Sequence, residues 1–281
     1  MRISIFTDEI SPDIPRALTL ASAWELEYVE LRSLPGGRFP RLPDAELEDV
    51  GRRLADSDLT LSGVSPGFFK CPFEDPIVAD EMANALPRAC EWALRLGTER
   101  ISSFAFRRVD GDVLPAQVID LMTEMADRVS AAGCRLTVEN EAICWGGSGL
   151  ETTDIMDLMQ RPEVGLCYDP GNSVRSGVAS PFPNEYGRLR HRISHLHMKN
   201  YDSAGECWSL METGAVDWRG QLRALRDDGY EGFALIETHT DVSVHEFIPL
   251  EDGAATDTSG LAPKEANSLR NLEFVRACLA S

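Results

Sequence analysis

Short apolar segments alternate eight times with segments of helical periodicity along this chain. The apolar segments are the predicted strands, at residues 2–6, 28–31, 60–64, 100–104, 135–139, 164–169, 193–198 and 233–237. This alternation is typical of a parallel sheet whose strands are joined by crossover helices. Eight repeats without a break in composition favour closure of the sheet. The sequence therefore predicts an α/β fold, a single (β/α)8 TIM barrel.

The length of 281 residues suits one barrel, which typically takes roughly 250 residues. An open doubly wound sheet is the alternative, and it normally carries a glycine-rich phosphate turn after its first strand. Residues 7–12 (TDEISP) follow the first predicted strand and contain no glycine. No linker interrupts the chain, so we expect one domain over residues 1–281, with a long polar loop excursion around residues 240–263.

The formal net charge of −19 disfavours nucleic acid and anionic membranes as partners. Seven cysteines without a CxxC pattern argue against a disulfide framework and a structural zinc cluster. The chain has neither a signal-peptide pattern at its start nor an apolar run of about 18 residues. We expect a cytoplasmic protein that acts on a small molecule. Barrels of this kind are often homo-oligomers, although no sequence feature identifies an interface.

Four polar side chains stand at or near the carboxyl ends of the last four predicted strands: Glu139, Asp169, His197 and Glu237. In barrels of this class the active site forms where the strands end. The spacings between these residues are 30, 28 and 40, about one strand–helix unit each. The four side chains are therefore expected at the same mouth of the barrel.

Three carboxylates that converge in a partly desolvated pocket repel one another, at a cost of roughly several kcal/mol. A divalent cation removes that cost. Carboxylates with one imidazole suit Mn, Mg, Co, Fe or Zn and leave positions open for a substrate. A single acid at a strand end is more often a helix cap, but four residues in register favour one bound metal ion. His195 lies one layer deeper on the same strand face, so we expect it in the core or behind the ligands.

Several segments in the second half of the chain carry a recognisable pattern. They are residues 136–141 (LTVENE), 165–172 (GLCYDPGN), 193–200 (ISHLHMKN), 213–218 (TGAVDW) and 229–239 (GYEGFALIETH). In these segments the chain resembles the xylose isomerase-like TIM barrel superfamily, in particular its sugar phosphate isomerase/epimerase family. The first half of the chain matches only in the spacing of its predicted strands, although residues 6–10 (FTDEI) are also typical of that family.

The resemblance implies the same four ligands and a metal-dependent isomerase or epimerase of a small keto sugar, polyol or keto acid. In the implied mechanism, one glutamate removes a proton from the carbon next to a carbonyl and the metal stabilises the enediolate. A second glutamate on the opposite face returns the proton. Glu139 and Glu237 are the expected catalytic pair, because strands five and eight are not neighbours and their side chains can flank a substrate. A dehydratase of the inosose or dehydroshikimate type would use the same site.

Two positions depart from the family pattern. Asn172 stands where many relatives have a histidine, and an amide can bind a sugar hydroxyl but cannot titrate at neutral pH. Residues 200–216 contain no arginine, whereas ketose 3-epimerases have one shortly after the histidine of strand seven. Lys199 is expected to take part of that role. These departures count against a free ketose as the substrate.

Three more side chains are expected to contact the substrate. Lys70 follows strand three and Arg107 follows strand four, where either could bind a carboxylate or a phosphate. Trp145 lies in a glycine-flanked loop after strand five and could cover the apolar face of a sugar.

Two further functions are distant alternatives. Endonuclease IV resembles this superfamily, but it needs three zinc ions, additional histidines and a basic surface for DNA. Five histidines in the whole chain and a charge of −19 disfavour that nuclease activity. A binding protein built on a decayed barrel is disfavoured by the intact set of four ligands.

Overall fold

The computed structural model describes residues 1–109, 111, 113–240 and 258–280. Eight parallel strands in it close into a barrel in which each strand pairs with the next one along the chain and the last pairs with the first. We number them β1 Arg2–Phe6, β2 Tyr28–Leu31, β3 Thr60–Phe68, β4 Arg100–Ser103, β5 Arg135–Glu139, β6 Gly165–Tyr168, β7 Ile193–Met198 and β8 Phe233–Ile236. The predicted fold class is confirmed.

The strands are buried on both faces, as is usual where helices cover a parallel sheet. All four residues of β8 are buried, and so are the last four residues of β7. The predicted strands agree with the observed ones within one or two residues, except that β3 continues beyond Val64 to Phe68. The register between β3 and β4 shifts after Val64, so the extension through Pro66 and Gly67 is irregular.

Helices pack around the barrel, and most of them bury one face, whereas Pro263–Ala280 is buried all round over residues 265–272. The main ones are Ile14–Ala23, Asp44–Ala55, Leu86–Arg95, Ala116–Ala131, Gly149–Met159, Trp218–Asp227 and Pro263–Ala280. Shorter helical segments are Thr7–Ile10, Ile77–Asp80, Pro170–Arg175 and Tyr186–Leu189, with π-helical turns at Glu81–Ala85 and Pro181–Glu185. Burial of Val118, Met122, Met125 and Val129 illustrates the helical period of the core-facing side chains.

Side-chain capping sets the start of two helices. The helix Gly149–Met159 begins directly after Ser148, because Ser148 and Glu151 form a capping box. The helix Pro170–Arg175 was not predicted. It begins directly after β6, and the Asp169 side chain caps it by accepting a hydrogen bond from the backbone N–H of Asn172.

Two small antiparallel hairpins extend the carboxyl ends of the barrel strands. Ser33–Leu34 pairs with Gly37–Arg38 after β2, and Asn200–Asp202 pairs with Cys207–Ser209 after β7. Of the predicted excursion around residues 240–263, positions 241–257 lie outside the described residues. Within the described part of the chain, no helix is both long enough and apolar enough to cross a bilayer.

Candidate metal centre

The four side chains at the ends of β5 to β8 converge at the carboxyl end of the barrel. Glu139 is the last residue of β5, His197 lies one residue before the end of β7, and Asp169 and Glu237 directly follow β6 and β8. Each is buried and offers one ligand atom, and these atoms lie within 4.8 Å of one another. The register of the parallel strands therefore brings together the four side chains whose spacing in the sequence matches successive strand–helix units.

The distances between these atoms suit one metal ion. His197 Nδ1 is 3.1 Å from Glu139 Oε1 and 3.5 Å from Glu237 Oε2. Ligands that bind one ion at about 2.0–2.2 Å are separated from each other by roughly 3 Å. Three carboxylates and one imidazole are also ligand types that Mn, Mg, Co, Fe and Zn accept. The residues thus fit a divalent ion in both geometry and chemistry.

The ammonium group of Lys199 lies among the same carboxylates. Its Nζ is 2.8 Å from Asp169 Oδ2, 2.9 Å from Glu237 Oε2 and 4.0 Å from Glu139 Oε1. Burial opposes the charge on Lys199, but the surrounding carboxylates raise its pKa well above the usual value. A buried cation at this position shows that the acidic cluster requires positive charge.

The carboxylates differ in how easily they take up a proton. Burial raises the pKa of Asp169 to about 6, and the nearby carboxylates of Glu139 and Glu237 add to that effect. Burial also opposes the charge on Glu237, but Lys199, among other cations, holds its pKa well below the usual value. For Glu139, His197 and Lys199 outweigh burial and lower the pKa. At neutral pH both glutamates are therefore ionised.

Two asparagines hold the carboxylates in place. Asn140 donates a hydrogen bond of 2.7 Å to the backbone carbonyl of Asp169 and accepts one of 2.7 Å from its N–H. Asn172 donates to Asp169 Oδ2 at 3.1 Å and to Glu139 Oε1 at 3.4 Å. Asn172 was expected to bind the substrate, but it is fully buried behind two carboxylates and orients them instead.

His195 lies deeper in the barrel, in keeping with its predicted place. Its Nε2 is 3.1 Å from Glu30 Oε2, and Glu30 also accepts hydrogen bonds of 2.8 Å from Ser62 and from Ser65. Burial opposes ionisation of Glu30, but His195 and Ser62, among other partners, lower its pKa to about 2. The His195 ring meets the His197 ring edge-on, with centroids 5.3 Å apart. The pair thereby limits the orientation of the imidazole of His197.

A cavity of about 150 Å³ is lined by three of the four candidate ligand residues, Glu139, His197 and Glu237, while Asp169 is buried behind them. Of the predicted substrate contacts, Lys70 and Lys199 line it. Arg107 and Trp145 do not, which corrects two predictions. The backbone of Arg107 pairs with Cys144, leaving its side chain exposed, and Trp145 is buried beneath the guanidinium of Arg108.

Further residues of the cavity were not among the expected substrate contacts. They are Phe6, Arg32, Arg38, Ser65, Phe104, Glu141, Arg175, Trp208 and His239. Arg32 lies one residue beyond β2, a position that points to a barrel mouth in any strand-end search. Arg38 and Trp208 come from the two hairpins, whose short strands have no periodic signal in the sequence.

Arg32 links the first and last strands of the barrel at the mouth. It donates to Asp8 Oδ2 at 3.0 Å and to Glu237 Oε1 at 2.7 Å, and it also pairs with Glu9. His239 Nδ1 lies 3.0 Å from Glu9 Oε1 and 3.3 Å from Glu237 Oε1. One oxygen of Glu237 thus faces Arg32 and His239, while the other faces Lys199 and His197.

Several solved structures share this fold. The D-allulose 3-epimerase from Methylomonas sp. matches with a TM-score of 0.75 and 18% identity, covering 99% of this chain and 98% of that one. The probable 3-DHS dehydratase AsbF from Bacillus anthracis matches with a TM-score of 0.72 and 17% identity, over 85% of this chain and 93% of that one. The IOLI protein with a zinc atom matches with a TM-score of 0.72 and 15% identity, over 100% and 98%.

At these identities the structural likeness establishes the fold alone. A search of curated protein sequences finds no match. The family model described as xylose isomerase-like TIM barrel matches residues 18–278, which include all four candidate ligand residues. This chain belongs to the xylose isomerase-like TIM barrel family.

Proposed function

We propose that this protein is a divalent-metal-dependent isomerase or epimerase of a small keto sugar, polyol or keto acid. The observation that carries the proposal is the convergence of Glu139, Asp169, His197 and Glu237, with ligand atoms within 4.8 Å, beneath a small cavity. An ion held by these residues would supply positive charge that stabilises an enediolate when a proton leaves the carbon next to a carbonyl. The ligand set suits Mn, Mg, Co, Fe or Zn.

Glu139 and Glu237 are the proposed acid and base. Glu139 ends β5 and Glu237 directly follows β8. These strands are separated by two others on that side of the barrel, so the two side chains approach the cavity from different directions. Both line the cavity and both are ionised at neutral pH, which is the state a base needs before it accepts a proton. One glutamate would take the proton from a substrate carbon and later release it to solvent, and the other, after taking up a proton from solvent, would deliver it to the opposite face.

The names of the structural neighbours are consistent with this chemistry. They include a D-allulose 3-epimerase, an L-ribulose 3-epimerase and a probable 3-DHS dehydratase, and the IOLI structure contains zinc. The cavity volume of about 150 Å³ suits a small substrate of this kind. A nearby aromatic face is available from Trp208, whose ring lies 4.8 Å from Lys199 Nζ.

Metal content is the first test. Elemental analysis of the purified protein is expected to find about one divalent ion per chain after incubation with Mn, Co, Mg or Zn. Glu237→Gln and His197→Ala are expected to lose most of it, because each removes one ligand. Arg107→Met serves as the control, since Arg107 is exposed and does not line the cavity. Absence of metal uptake by the native chain would refute the proposal.

Exchange of a carbon-bound proton with heavy water is the second test. Keto sugars and keto acids are incubated with the metal-loaded protein, and deuterium incorporation is followed by NMR. Glu139→Gln and Glu237→Gln are expected to reduce the exchange rate by at least about a hundredfold, the usual scale of a lost acid or base. A substrate that exchanges and also loses water would assign the dehydratase reaction, which starts with the same proton abstraction.

A further inference from the structure

The cavity above the candidate metal centre is lined by five basic side chains: Arg32, Arg38, Lys70, Arg175 and Lys199. Four of them are matched by acids within ion-pair distance. Lys70 and Arg175 pair with Glu141. Lys199 pairs with Asp169 and Glu237. Arg32 pairs with Asp8, Glu9 and Glu237. The fifth is Arg38, which makes no ion pair with any of the described residues.

The guanidinium of Arg38 is nevertheless held firmly. Its Nε donates to the backbone carbonyl of Pro66 at 3.0 Å, and one terminal nitrogen donates to that of Ser65 at 3.1 Å. Gly67 leaves room for it: a Cβ atom at Gly67 would lie 2.8 Å from Arg38 Nε. The irregular end of β3 therefore forms a cradle for this one side chain.

The held guanidinium has no ion-pair partner among the described residues, although the more distant charges of Asp8, Glu139 and Glu237 act on it. Burial and the neighbouring Arg32 lower the pKa of Arg38, which still remains charged at neutral pH. Two backbone carbonyls occupy two of its five N–H donors. Among the described residues the remaining donors have no protein acceptor, although the group lines a cavity. A partly desolvated guanidinium whose free N–H donors are held in a fixed plane is suited to bind an anion through two parallel hydrogen bonds.

We propose that Arg38 binds an anionic group of the substrate, a carboxylate or a phosphate, within this cavity. This inference rests on the proposed function, because it assumes that the rest of the substrate reaches Glu139 and Glu237. It narrows the substrate class from small carbonyl compounds in general to those with one acidic substituent. Lys70 and Arg175 share the single carboxylate of Glu141, so these three side chains add net positive charge to the cavity wall.

The test uses three ketols that share a hydroxyl next to a ketone and differ in one substituent. Hydroxyacetone is neutral, hydroxypyruvate carries a carboxylate, and dihydroxyacetone phosphate carries a phosphate. Their dissociation constants for the manganese-loaded protein are measured by calorimetry. We expect at least one anionic ketol to bind ten or more times more tightly than hydroxyacetone, and the tighter of the two identifies the anion.

Arg38→Met is expected to remove that preference while leaving the affinity for hydroxyacetone within about twofold. Arg38→Lys is expected to retain part of the preference for anionic ketols, because lysine keeps the positive charge but lacks the planar guanidinium that forms two parallel hydrogen bonds. Gly67→Ala keeps the arginine and is expected to weaken anion binding, because the new Cβ displaces the guanidinium. Arg107→Met removes an equal charge outside the cavity and is expected to have no effect.

Equal affinity for the neutral and anionic ketols, no binding of any ketol, or an unchanged preference in Arg38→Met would each overturn the inference. The last result would mean that the anion binds elsewhere, for example at the metal. Metal content and proton exchange are measured on the same samples. A protein that holds metal and exchanges protons without an anion preference keeps the proposed function and loses only this inference.

Discussion

Lys199 and Asp169 form a buried ion pair of 2.8 Å between two neighbouring strand ends, inside the cluster proposed to bind a metal. The ammonium group thus competes for the same oxygens as a divalent ion. Two unit charges about 4 Å apart interact by about 4 kcal/mol at an effective dielectric constant near 20. The pair therefore sets how strongly the cluster attracts a metal.

Replacing Lys199 by Met is expected to increase metal affinity at least tenfold, because the competing cation is removed. The metal-free protein is expected to lose stability, since three buried carboxylates are then left without their ammonium partner. Titration with manganese against a fluorescent chelator measures the affinity. Lys70→Met is the control, because Lys70 lines the same cavity but pairs with Glu141. Weaker metal binding in Lys199→Met would mean that the lysine holds the ligands in place.

Metal affinity is expected to fall as the pH is lowered through 6. Asp169 must be ionised to bind a metal, and burial raises its pKa to about 6. Below pH 6, each further unit of pH is expected to lower the apparent metal affinity about tenfold, because the ionised fraction of Asp169 falls by that factor. Affinity measured between pH 5 and pH 8 checks the prediction. A flat profile down to pH 5 would contradict it.

Asp169→Asn is expected to stabilise the metal-free protein at pH 8. The pKa of Asp169 in the folded chain is raised from 3.8 to about 6, so its favourable contribution is complete below pH 4 and is lost as the pH rises through 6. A neutral amide avoids this loss, which is on the order of 2–3 kcal/mol at pH 8. Urea unfolding at pH 4 and pH 8 measures the difference.

The matched control is Asp217→Asn. Asp217 also caps a helix, accepting a hydrogen bond of 2.9 Å from the N–H of Gly220, but it is exposed. Its substitution is expected to change stability little at either pH, because asparagine caps helices about as well as aspartate. An Asp169→Asn protein that is less stable than the native chain at pH 8 would show that the ion pair with Lys199 outweighs burial.

Glu30→Leu is expected to destabilise the fold by about 3–5 kcal/mol, the usual cost of removing one partner of a buried pair. His195, Ser62 and Ser65 would all lose their shared acceptor. Combining it with His195→Leu is expected to recover part of the loss, because the second substitution removes a stranded polar group. The free energies of unfolding in urea of the native chain, both single variants and the double variant complete this double-mutant cycle. A double variant as unstable as the sum of the single variants would count against a coupled pair.

Much of the barrel was predictable because its signals are local. The apolar runs of β2, β5 and β7 have the predicted bounds, since a buried parallel strand is a short continuous hydrophobic segment. The ligand candidates were predictable for the same reason: each stands at the end of such a run. Asn172 was assigned to the substrate because it stands where many relatives have a histidine. Its burial behind the carboxylates follows from the helix that begins at Pro170, which is too short to show periodicity in the sequence.

The basic side of the cavity was not predictable in this way. Arg38 reaches it from a hairpin of two-residue strands, and its place depends on Gly67 of another strand. Arg107, by contrast, follows a strand as expected, yet the pairing of its backbone with Cys144 leaves the side chain exposed. Position after a strand therefore predicts the barrel mouth but not the direction of a side chain beyond it.

By itself, the sequence determined the eightfold alternation and the four residues at successive strand ends, because periodicity and spacing are properties of neighbouring residues. Only the tertiary structure decided which charges face one another. Lys199 lies among the carboxylates, Arg32 pairs with Glu237, and Arg38 has no acidic partner among the described residues. These relations join residues up to about two hundred positions apart, and closing the barrel is what brings them within a few ångströms.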